Sequence, residues 1–587
     1  MPGDGHSAAA LFDPRRGDAE DDASSTKQRS LLAIAGSLLA EISLPKLLFA
    51  WVASILVPGI LLGLTPLVAT AWLTAASVKL IGQTGLWTAL LLVAVARLGW
   101  IGWRPLLRTA ESNFWALNAL AVQPAYALCR EGIRHLVERL FGRQATAATR
   151  GSLRAASAVG AGVLLCIWAT WIATLAWPAS RWIGNAADLA LWHRLAGPAM
   201  ANAIVLVSAY LAIAALVWGI ADAGMNQAVD QAAFDTAPAG QRTWRVAHLS
   251  DIHVVGERYG FRLESGRGGP RGNDRLERVL TRLEAIHAVR PLDLVLISGD
   301  LTDAGRSVEW AELLDIVARH PELASRTLVV PGNHDVNIID RANPARLDLP
   351  FSTGKRLREM RALSAIAALQ GDRVRVVDRK TGRVDRTLAE ALAAHRARVA
   401  TFADRGTLRS SVGLGALWED LFPMVFPPDG DDGLGVVMLN SNAQSSYSFT
   451  NALGMIDADQ ARRIGQAASQ FPRARWIVAL HHHLMEYPMA VEAFSERIGT
   501  ALINGTWFAR LLKGYSGRVV IMHGHRHIDW IGRSGGLKIV SAPSPVMGTP
   551  GHSSHFYIHA MAAGPDGQLL LLAPERVDIA AADAAGA

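Results

Sequence analysis

The stretch VVPGNHDV, residues 329–336, places an amide, an imidazole and a carboxylate directly after an apolar run. Pro331, Gly332 and Asn333 are ordinary turn residues, because glycine and asparagine tolerate unusual backbone angles. Taken alone, the stretch predicts a strand followed by a loop. Its chemical meaning depends on whether other strands of the chain end in the same way.

Five further apolar runs in the C-terminal half share this design: WRVAHLSDIH, LDLVLISGDLTD, GVVMLNSN, RWIVALHHH and RVVIMHGHRH. Each is short and ends in a loop that holds Asp, Asn or His, as buried strands of an α/β sheet do when ligands gather at the strand ends. Helical patterns such as RLERVLTRLEAIHAV lie between the runs. We interpret the Arg- and Ala-rich segment 338–435 as a helical insertion that could cap the site.

The polar residues at these strand ends form the candidate site. They are Asp251, His253, Asp300, Asn333, His334, His481, His525 and His527. Singly they are weak signals, since a histidine run can pack in a core and Asp300 or Thr302 could cap a helix N-terminus. Five such ends in one domain indicate a single constellation.

Carboxylates and imidazoles are ligands that suit Mn, Fe or Zn. Two such ions, roughly 3.5–4 Å apart, can hold a phosphate oxygen and activate a bridging hydroxide. Asp300 follows a tight turn and is the natural bridging carboxylate. A neutral Asn ligand at position 333 limits the negative charge of the site, which favours an anionic phosphate substrate.

These motifs resemble the calcineurin-like metallophosphoesterase superfamily over about residues 242–574, and most closely its cyclic-nucleotide phosphodiesterase-like branch. The motifs are LSDIH, SGDLTD, VPGNHD, LHHHL and HGHRH. The resemblance implies an α/β fold of two packed mixed sheets flanked by helices. It also implies a hydrolase with two divalent metal ions that cleaves a phosphate ester, phosphodiester or pyrophosphate.

The resemblance further implies residue roles. Asp251, His253 and His527 would bind one metal, and Asn333, His481 and His525 the other, with Asp300 spanning both. His334 would contact the scissile phosphate and protonate the leaving group, and Asp335 would orient His334. The family often has His-His-Pro where this chain has His481-His482-His483, so His482 is the alternative ligand to His481.

The N-terminal half predicts a transmembrane helical domain over residues 31–225, preceded by a disordered tail, 1–30, that does not look like a signal peptide. Uncharged runs long enough to cross a bilayer go from Leu47 to Val78, Ala155 to Ser180 and Leu195 to Ala221. A fourth apolar run contains Arg97, which is costly in mid-membrane. The four predicted spans are 47–75, 85–103, 157–178 and 198–221.

Eight arginines fall between Arg104 and Arg154. By the positive-inside rule this basic loop is cytoplasmic. Four spans then place both termini and the catalytic domain in the cytoplasm, at a bacterial inner membrane. Within the loop, EGIRHLVERLFGRQ is a basic amphipathic helix that suggests docking on anionic lipid, with ordinary helix packing as the alternative.

Composition narrows the function classes. Two cysteines exclude a disulfide framework, and 587 residues need more than one domain. The net charge of +7 is the only support for a nuclease, and much of it lies in the loop 104–154. Nucleic acid is therefore a disfavoured partner, and a phosphorylated small-molecule or lipid-linked substrate and the lipid bilayer are the expected ones. A non-enzymatic membrane sensor or scaffold ranks low, because all seven metal ligands are present.

Overall fold

The structure is a computed structural model. It describes residues 57–81, 93–94, 97, 122–141, 146–185, 187, 192–256, 273–339, 348, 352–405, 408–442, 452–488, 502–546 and 553–579. The chain divides into two compact units, an N-terminal one within Gly36–Met225 and a C-terminal one from Asn226 onward.

The described part of the N-terminal unit is helical. Its helices are α1 Val57–Ile81, α2 Gln123–Phe141, α3 Ala147–Ala176 and α4 Ala196–Ala223, with short 3-10 turns at Trp177–Ala179 and Trp192–Leu195. Helix α3, together with the 3-10 turn that follows it, covers the predicted span 157–178. Helix α4 covers 198–221, and α1 covers the described part of 47–75. The tail 1–30 and almost all of the predicted span 85–103 lie outside the described residues.

Small residues let α3 and α4 pack closely. A Cβ added at Gly162 of α3 would lie 2.7 Å from the Ala215 carbonyl oxygen, and one added at Gly219 of α4 would lie 2.8 Å from that of Ala158. Each helix therefore presents two small residues four positions apart, Ala158 with Gly162 and Ala215 with Gly219. This spacing brings backbones together in helix pairs of apolar surroundings.

One buried amide joins α4 to the chain around it. The Asn202 Nδ2 donates to the carbonyl oxygens of Gly63 at 3.0 Å and Arg181 at 2.6 Å, and its Oδ1 accepts from the Arg181 N–H at 2.9 Å. Asn202 is fully buried among apolar helices, where an unpaired amide would be costly. The three bonds satisfy it.

The C-terminal unit alternates strands and helices. Its strands are β1 Val229–Asp230, β2 Thr243–Leu249, β3 Leu294–Ile297, β4 Thr327–Val329, β5 Arg375–Val377, β6 Val384–Thr387, β7 Met424–Phe426, β8 Leu434–Met438, β9 Arg475–Ala479, β10 Val519–His523, β11 Trp530–Ser534, β12 Leu537–Ser541, β13 Ser554–Ala563, β14 Leu569–Leu571 and β15 Glu575–Ile579. Its helices are α5 Asp274–Val289, α6 Ser307–Ala318, α7 Pro321–Ala324, α8 Asn333–Val336, α9 Thr353–Gln370, α10 Leu388–Ala393, α11 Arg396–Arg405, α12 Leu408–Leu421, α13 Ala458–Gln470 and α14 Gly505–Leu512. Short 3-10 turns lie at Lys513–Tyr515 and Pro565–Gly567.

Two mixed sheets form the core, as the family resemblance implies. One has the order β1-β11-β12-β10-β9-β8-β7-β5-β6, and the other has the order β14-β13-β2-β3-β4 with β15 paired to β13. The pairs β2–β3, β3–β4, β8–β9, β9–β10 and β10–β12 are parallel. Strands such as β3 and β9 are buried along their whole length, which is why they read as continuous apolar runs.

The segment 338–435 differs from the predicted helical cap. Its described residues form four helices, α9 to α12, but also three strands, β5 to β7, which extend one sheet at its edge. Met360, Leu363 and Ile366 of α9 are buried in the core. The described part of the segment is thus built into the domain core, because short apolar runs such as RVV at 375–377 pair as strands.

Candidate metal centre

The predicted site residues lie at five strand ends. Asp251 and His253 follow β2, Asp300 follows β3, Asn333 begins α8 after β4, His481 follows β9, and His525 and His527 follow β10. Within each sheet the parallel strands are in register, with Leu249 opposite Ile297 and Ile297 opposite Val329 in one sheet, and Ala479 opposite Met522 in the other. The loops after these strands therefore begin at one level, and the site side chains meet there.

Five of these residues hold an uncommon backbone conformation. The φ angles are 54° at Asp251, 40° at His253, 50° at Asp300, 76° at His525 and 53° at His527. They are the non-glycine residues with positive φ among the residues that the structure describes. Such conformations cost free energy and persist only where the surrounding structure imposes them. Holding these five side chains in place therefore lowers the stability of the fold.

Backbone hydrogen bonds between loops hold that geometry. The Asp251 N–H donates to the Gly299 carbonyl and the His253 N–H donates to the Asp300 carbonyl, both at 3.0 Å. The His525 N–H donates to the Asp251 carboxylate, at 2.9 Å from Oδ2. Gly299 has a φ of 101°, and a Cβ there would collide with the His481 ring. The glycine before Asp300 is therefore required by both conformation and space.

One cluster comprises Asp251, His253 and His527. The Nε2 atoms of His253 and His527 are 3.3 Å apart, and His527 Nε2 is 3.3 Å from Asp251 Oδ1. Asp251 and His253 are buried, whereas 26% of the His527 side chain is exposed. The cluster offers two imidazole nitrogens and one carboxylate to a common point.

A second cluster comprises Asp300, His481 and His525, with Asn333 beside them. Asn333 Oδ1 lies 3.0 Å from both His481 Nε2 and His525 Nδ1. Asp300 Oδ2 is 3.2 Å from His481 Nε2 and 3.8 Å from His253 Nε2. Asp300 thus lies between the two clusters, as expected of a bridging carboxylate.

The donor set of the second cluster fits a cation. His481 Nδ1 lies 2.9 Å from the Ser298 carbonyl oxygen, to which it can only donate, so Nε2 of the neutral ring carries a lone pair. That lone pair faces the Asn333 and Asp300 oxygens at 3.0 and 3.2 Å. Acceptors this close repel one another unless a proton or a metal ion lies between them. A carbonyl on the far nitrogen is also the usual way a metal-binding imidazole is oriented.

The pKa shifts show how protons balance the carboxylates. Burial alone would raise the pKa of Asp300, but the His481 and His334 imidazoles outweigh it and hold that pKa well below its usual range. Burial would likewise lower the pKa of His481, yet Asp300 raises it to about 9. At neutral pH the metal-free centre therefore holds a proton on His481, which a divalent ion would displace.

The first cluster follows the same logic. Burial would raise the pKa of Asp251, but His527 lowers it, and burial would lower the pKa of His527, but Asp251 raises it. Burial, with neighbouring imidazoles, lowers the pKa of His253 and of His525 far below the usual range. These two rings are neutral at pH 7, the state in which imidazole binds a metal.

His334 lies beside the clusters with a distinct set of contacts. Its N–H donates to Asp300 Oδ1 at 2.9 Å, and its Nδ1 lies 2.7 Å from the Asp303 carbonyl oxygen. Its ring stands edge-on to that of His253, with centroids 4.5 Å apart. Since the carbonyl fixes the proton on Nδ1, Nε2 is the nitrogen left for a substrate.

The hydrogen bonds of the Asp335 carboxylate go to other groups than the His334 ring. The carboxylate accepts from the Thr302 N–H and Thr302 hydroxyl, both at 2.8 Å, and from the Gly332 N–H at 2.9 Å. Burial and the nearby Asp300 raise its pKa to about 6. Asp335 therefore joins the loop after β3 to the turn after β4, and the carbonyl of Asp303 takes the orienting role that the resemblance implied for Asp335.

The histidine run resolves into different positions. His481 reaches Asn333, Asp300 and His525, whereas His482 Nδ1 lies 2.9 Å from the Ser441 hydroxyl. The His482 ring is 4.5 Å, centroid to centroid, from that of His525. The contacts favour His481 over His482 as the ligand at this strand end.

Sequence reasoning missed Ser298 and Asp303. Ser298 supplies the carbonyl for His481, and its hydroxyl lies 2.9 Å from Nε2 of the buried His248. Asp303 Oδ1 lies 3.8 Å from His253 Nδ1, and Asp303 forms a third potential cluster with His253 and His334. Both residues belong to the motif SGDLTD, whose second acid was the available signal.

Two solved structures match part of this chain at low sequence identity and low TM-score. A protein described as a 5′-nucleotidase from Staphylococcus aureus, solved with alpha-ketoglutarate, is 12% identical with a TM-score of 0.31, over 57% of this chain and 54% of its own. A purple acid phosphatase from yellow lupin (Lupinus luteus) seeds is 14% identical with a TM-score of 0.28, over 58% of this chain and 52% of its own. The chain thus spans about half the length of either protein.

No curated protein matches the sequence. A family model, described as calcineurin-like phosphoesterase, matches residues 245–529. The match begins in β2 and ends just after His527, so it contains all five strand ends of the candidate metal centre. The chain therefore contains a calcineurin-like phosphoesterase domain at residues 245–529.

Proposed function

We propose that the chain is a membrane-anchored phosphoesterase with a dinuclear metal centre. The main support is the position of Asp300 between two clusters of potential metal ligands. Its Oδ2 lies 3.2 Å from Nε2 of His481 in one cluster and 3.8 Å from Nε2 of His253 in the other. Asp251, His253 and His527 would hold one divalent ion, and Asn333, His481 and His525 would hold the other. Mn, Fe and Zn all suit this set of ligands.

When bound, the two ions supply Lewis acidity to the phosphate and lower the pKa of a water molecule. The chain's own residues do the rest. His334 holds a proton on Nδ1 through the Asp303 carbonyl and, when protonated at Nε2, donates that second proton to the leaving oxygen. Asp335 fixes the two loops that carry Asp300 and His334, so that their spacing survives turnover.

Two helices support membrane anchoring. Two helical segments are long and apolar enough to cross a bilayer, Thr149–Ala179 and His193–Ala223. Only 28% and 44% of their most apolar stretches, respectively, are buried. Exposed apolar side chains on them include Trp168, Trp171, Ile213 and Val217. A core helix of a soluble protein would bury such residues, whereas a bilayer accepts them.

The proposed topology is multi-pass, with the Arg104–Arg154 segment and the catalytic domain in the cytoplasm. It rests on the concentration of arginines in that segment. Reporter fusions after Gly240 should be active only when the reporter works in the cytoplasm. A reporter at this position that works only outside would reverse the orientation.

The proposed substrate is a phosphorylated small molecule or a lipid-linked phosphate or pyrophosphate. A panel assay on the full chain in detergent, loaded with manganese, tests the activity and the substrate class together. It should contain bis(p-nitrophenyl) phosphate, cyclic nucleotides and a lipid pyrophosphate. Asp300→Asn should abolish hydrolysis of every substrate, while the exposed control Asp431→Asn should not alter it. Equal activity in Asp300→Asn would refute the dinuclear centre.

A further inference from the structure

Helix α2 has a reversed distribution of polarity. Glu131 and Arg134 are only 4% and 3% exposed, whereas Leu136, Leu140 and Phe141 are 58%, 65% and 69% exposed. A surface helix of a soluble protein does the opposite, with its apolar stripe on the core and its charges in water. The outward face of α2, which carries Leu128, Leu136 and Leu140, would therefore be more stable in an apolar environment than in water.

The inward face is held by polar contacts that set the rotation of the helix. Arg130 Nη1 lies 2.9 Å and the Tyr126 hydroxyl 3.0 Å from Asp222 Oδ2 on the last turn of α4. Arg134 Nε lies 2.7 Å from Glu138 Oε1. Turning α2 to bury its leucines would separate these charges from their partners at high cost. The exposure of the apolar face is thus built into the packing.

The outward apolar face continues onto α3. Ile133 of α2 packs at Gly160 of α3, where an added Cβ would meet Ile133 Cδ1 at 3.6 Å. Val159 and Val163, on either side of Gly160 in sequence, are each 41% exposed. Helix α2 therefore lies beside the apolar helix that we propose as a membrane span.

Charge favours one occupant for this face. Arg139 is exposed between Leu136 and Leu140 in sequence, and the segment from Arg104 to Arg154 carries six arginines besides the inward-facing Arg130 and Arg134, against three glutamates. A lipid headgroup layer with negative charge complements these cations, and its acyl boundary accepts the leucines. A second copy packed about a twofold axis would instead bring like charges together.

We propose that α2 lies in the headgroup layer of an anionic bilayer. Leu128, Leu136 and Leu140 enter the acyl boundary, and Arg139 extends to the lipid phosphates. This inference rests on the membrane anchoring proposed above and adds a lipid-binding surface to it. Its occupant is a lipid bearing a negative phosphate.

Fluorescent labels on single cysteines test the proposal in the full chain. In a Cys129→Ala, Cys166→Ala background, one label is placed through Leu140→Cys on α2, one through Leu164→Cys on α3, and one through Val289→Cys on the catalytic unit. All three positions are exposed, at 65%, 53% and 87%, so the substitutions disturb little packing. The protein is reconstituted into nanodiscs that contain brominated phosphatidylglycerol.

We expect the brominated lipid to quench the labels at 140 and 164 and to leave the label at 289 unquenched. Arg139→Gln should reduce quenching at 140 in phosphatidylglycerol nanodiscs and have little effect in phosphatidylcholine nanodiscs, while the exposed control Arg473→Gln should change neither. Quenching at 164 without quenching at 140 would overturn this inference and leave the anchoring intact. Absence of quenching at both positions would overturn the two together. A label at 140 that is shielded from both brominated lipid and aqueous iodide would assign the face to a protein partner or a second copy, and would also overturn the proposal.

Discussion

Asn333 and His334 are neighbours in the chain with different surroundings. The Asn333 oxygen lies 3.0 Å from two imidazole nitrogens of the second cluster, whereas the His334 ring lies against His253 and the Asp303 carbonyl. The short helix α8, which starts at Asn333, turns the two side chains apart. The turn that follows β4 therefore presents the proposed metal ligand and the proposed proton donor from consecutive positions.

His334→Ala should leave the metal content unchanged and slow turnover by roughly 10²–10⁴-fold, the usual contribution of a general acid. The loss should shrink for p-nitrophenyl esters, since p-nitrophenolate leaves without protonation. Paired turnover measurements on p-nitrophenyl and alkyl phosphate esters check this dependence. Asn333→Ala is the matched variant and should instead lower the metal content. A His334→Ala protein that lost metal, with a rate deficit independent of the leaving group, would make His334 a ligand.

The ends of single strands were readable from the sequence, because each motif is local. A buried strand and the polar residue that follows it are adjacent in the chain, so SGDLTD or GNHD can be interpreted without the fold. The hydrogen bond from Thr302 to Asp335 joins residues that are 33 positions apart, and the one from Gly332 closes a turn of three residues. No local sequence pattern distinguishes these contacts from an orienting contact between Asp335 and His334. The strand pairing of 375–377 with 424–426 is likewise non-local.

At the scale of elements, the first turn of α6 contains a buried acid, Glu309. Glu309 Oε2 accepts from the Ala304 and Arg306 N–H groups at 2.8 and 3.0 Å, which ties the start of α6 to the loop that carries Asp303. Burial, with Asp303 nearby, raises the pKa of Glu309 to about 8. A carboxyl whose folded-state pKa is raised stabilises the fold below its unfolded pKa, and that stability is lost as the pH rises towards the folded pKa.

Glu309→Gln should therefore remove part of the pH dependence of stability. We expect the free energy of unfolding of the metal-free natural chain to fall between about pH 5 and pH 8 through this group, and the variant to show a smaller fall. Glutamine keeps an oxygen that accepts the two N–H bonds. Urea titrations at several pH values measure the difference. An identical decline in both proteins would mean that Glu309 is already ionised in the folded state.

The pairing of α3 with α4 depends on the absence of a side chain at Gly162. Gly162→Ala should lower the thermal stability of the detergent-solubilised chain, because the new methyl group would lie 2.7 Å from the Ala215 carbonyl oxygen of α4. Gly160→Ala is a matched control two residues away, where the methyl group meets only the end of the Ile133 side chain at 3.6 Å. Equal unfolding temperatures for both variants would contradict the close packing.

At the scale of the whole molecule, the division into an apolar helical half and an α/β half followed from composition alone. Long uncharged runs exclude most soluble helices, and alternating strand and helix patterns favour an α/β domain. The segment 338–435 escaped this reasoning since its helices contain many charged residues that are nonetheless buried. Arg358, Glu359 and Arg361 of α9 are 8%, 2% and 1% exposed, so polar composition there did not mark a peripheral cap.

The metal content of the purified full chain, measured together with its activity, tests the dinuclear centre most directly. We expect two divalent transition-metal ions per chain, loss of phosphoester hydrolysis on chelation, and recovery of hydrolysis on adding manganese. Metal binding should release protons, because His481 carries one in the metal-free centre and its pKa there is raised to about 9. Fully active protein that contains no metal would contradict the dinuclear metal centre.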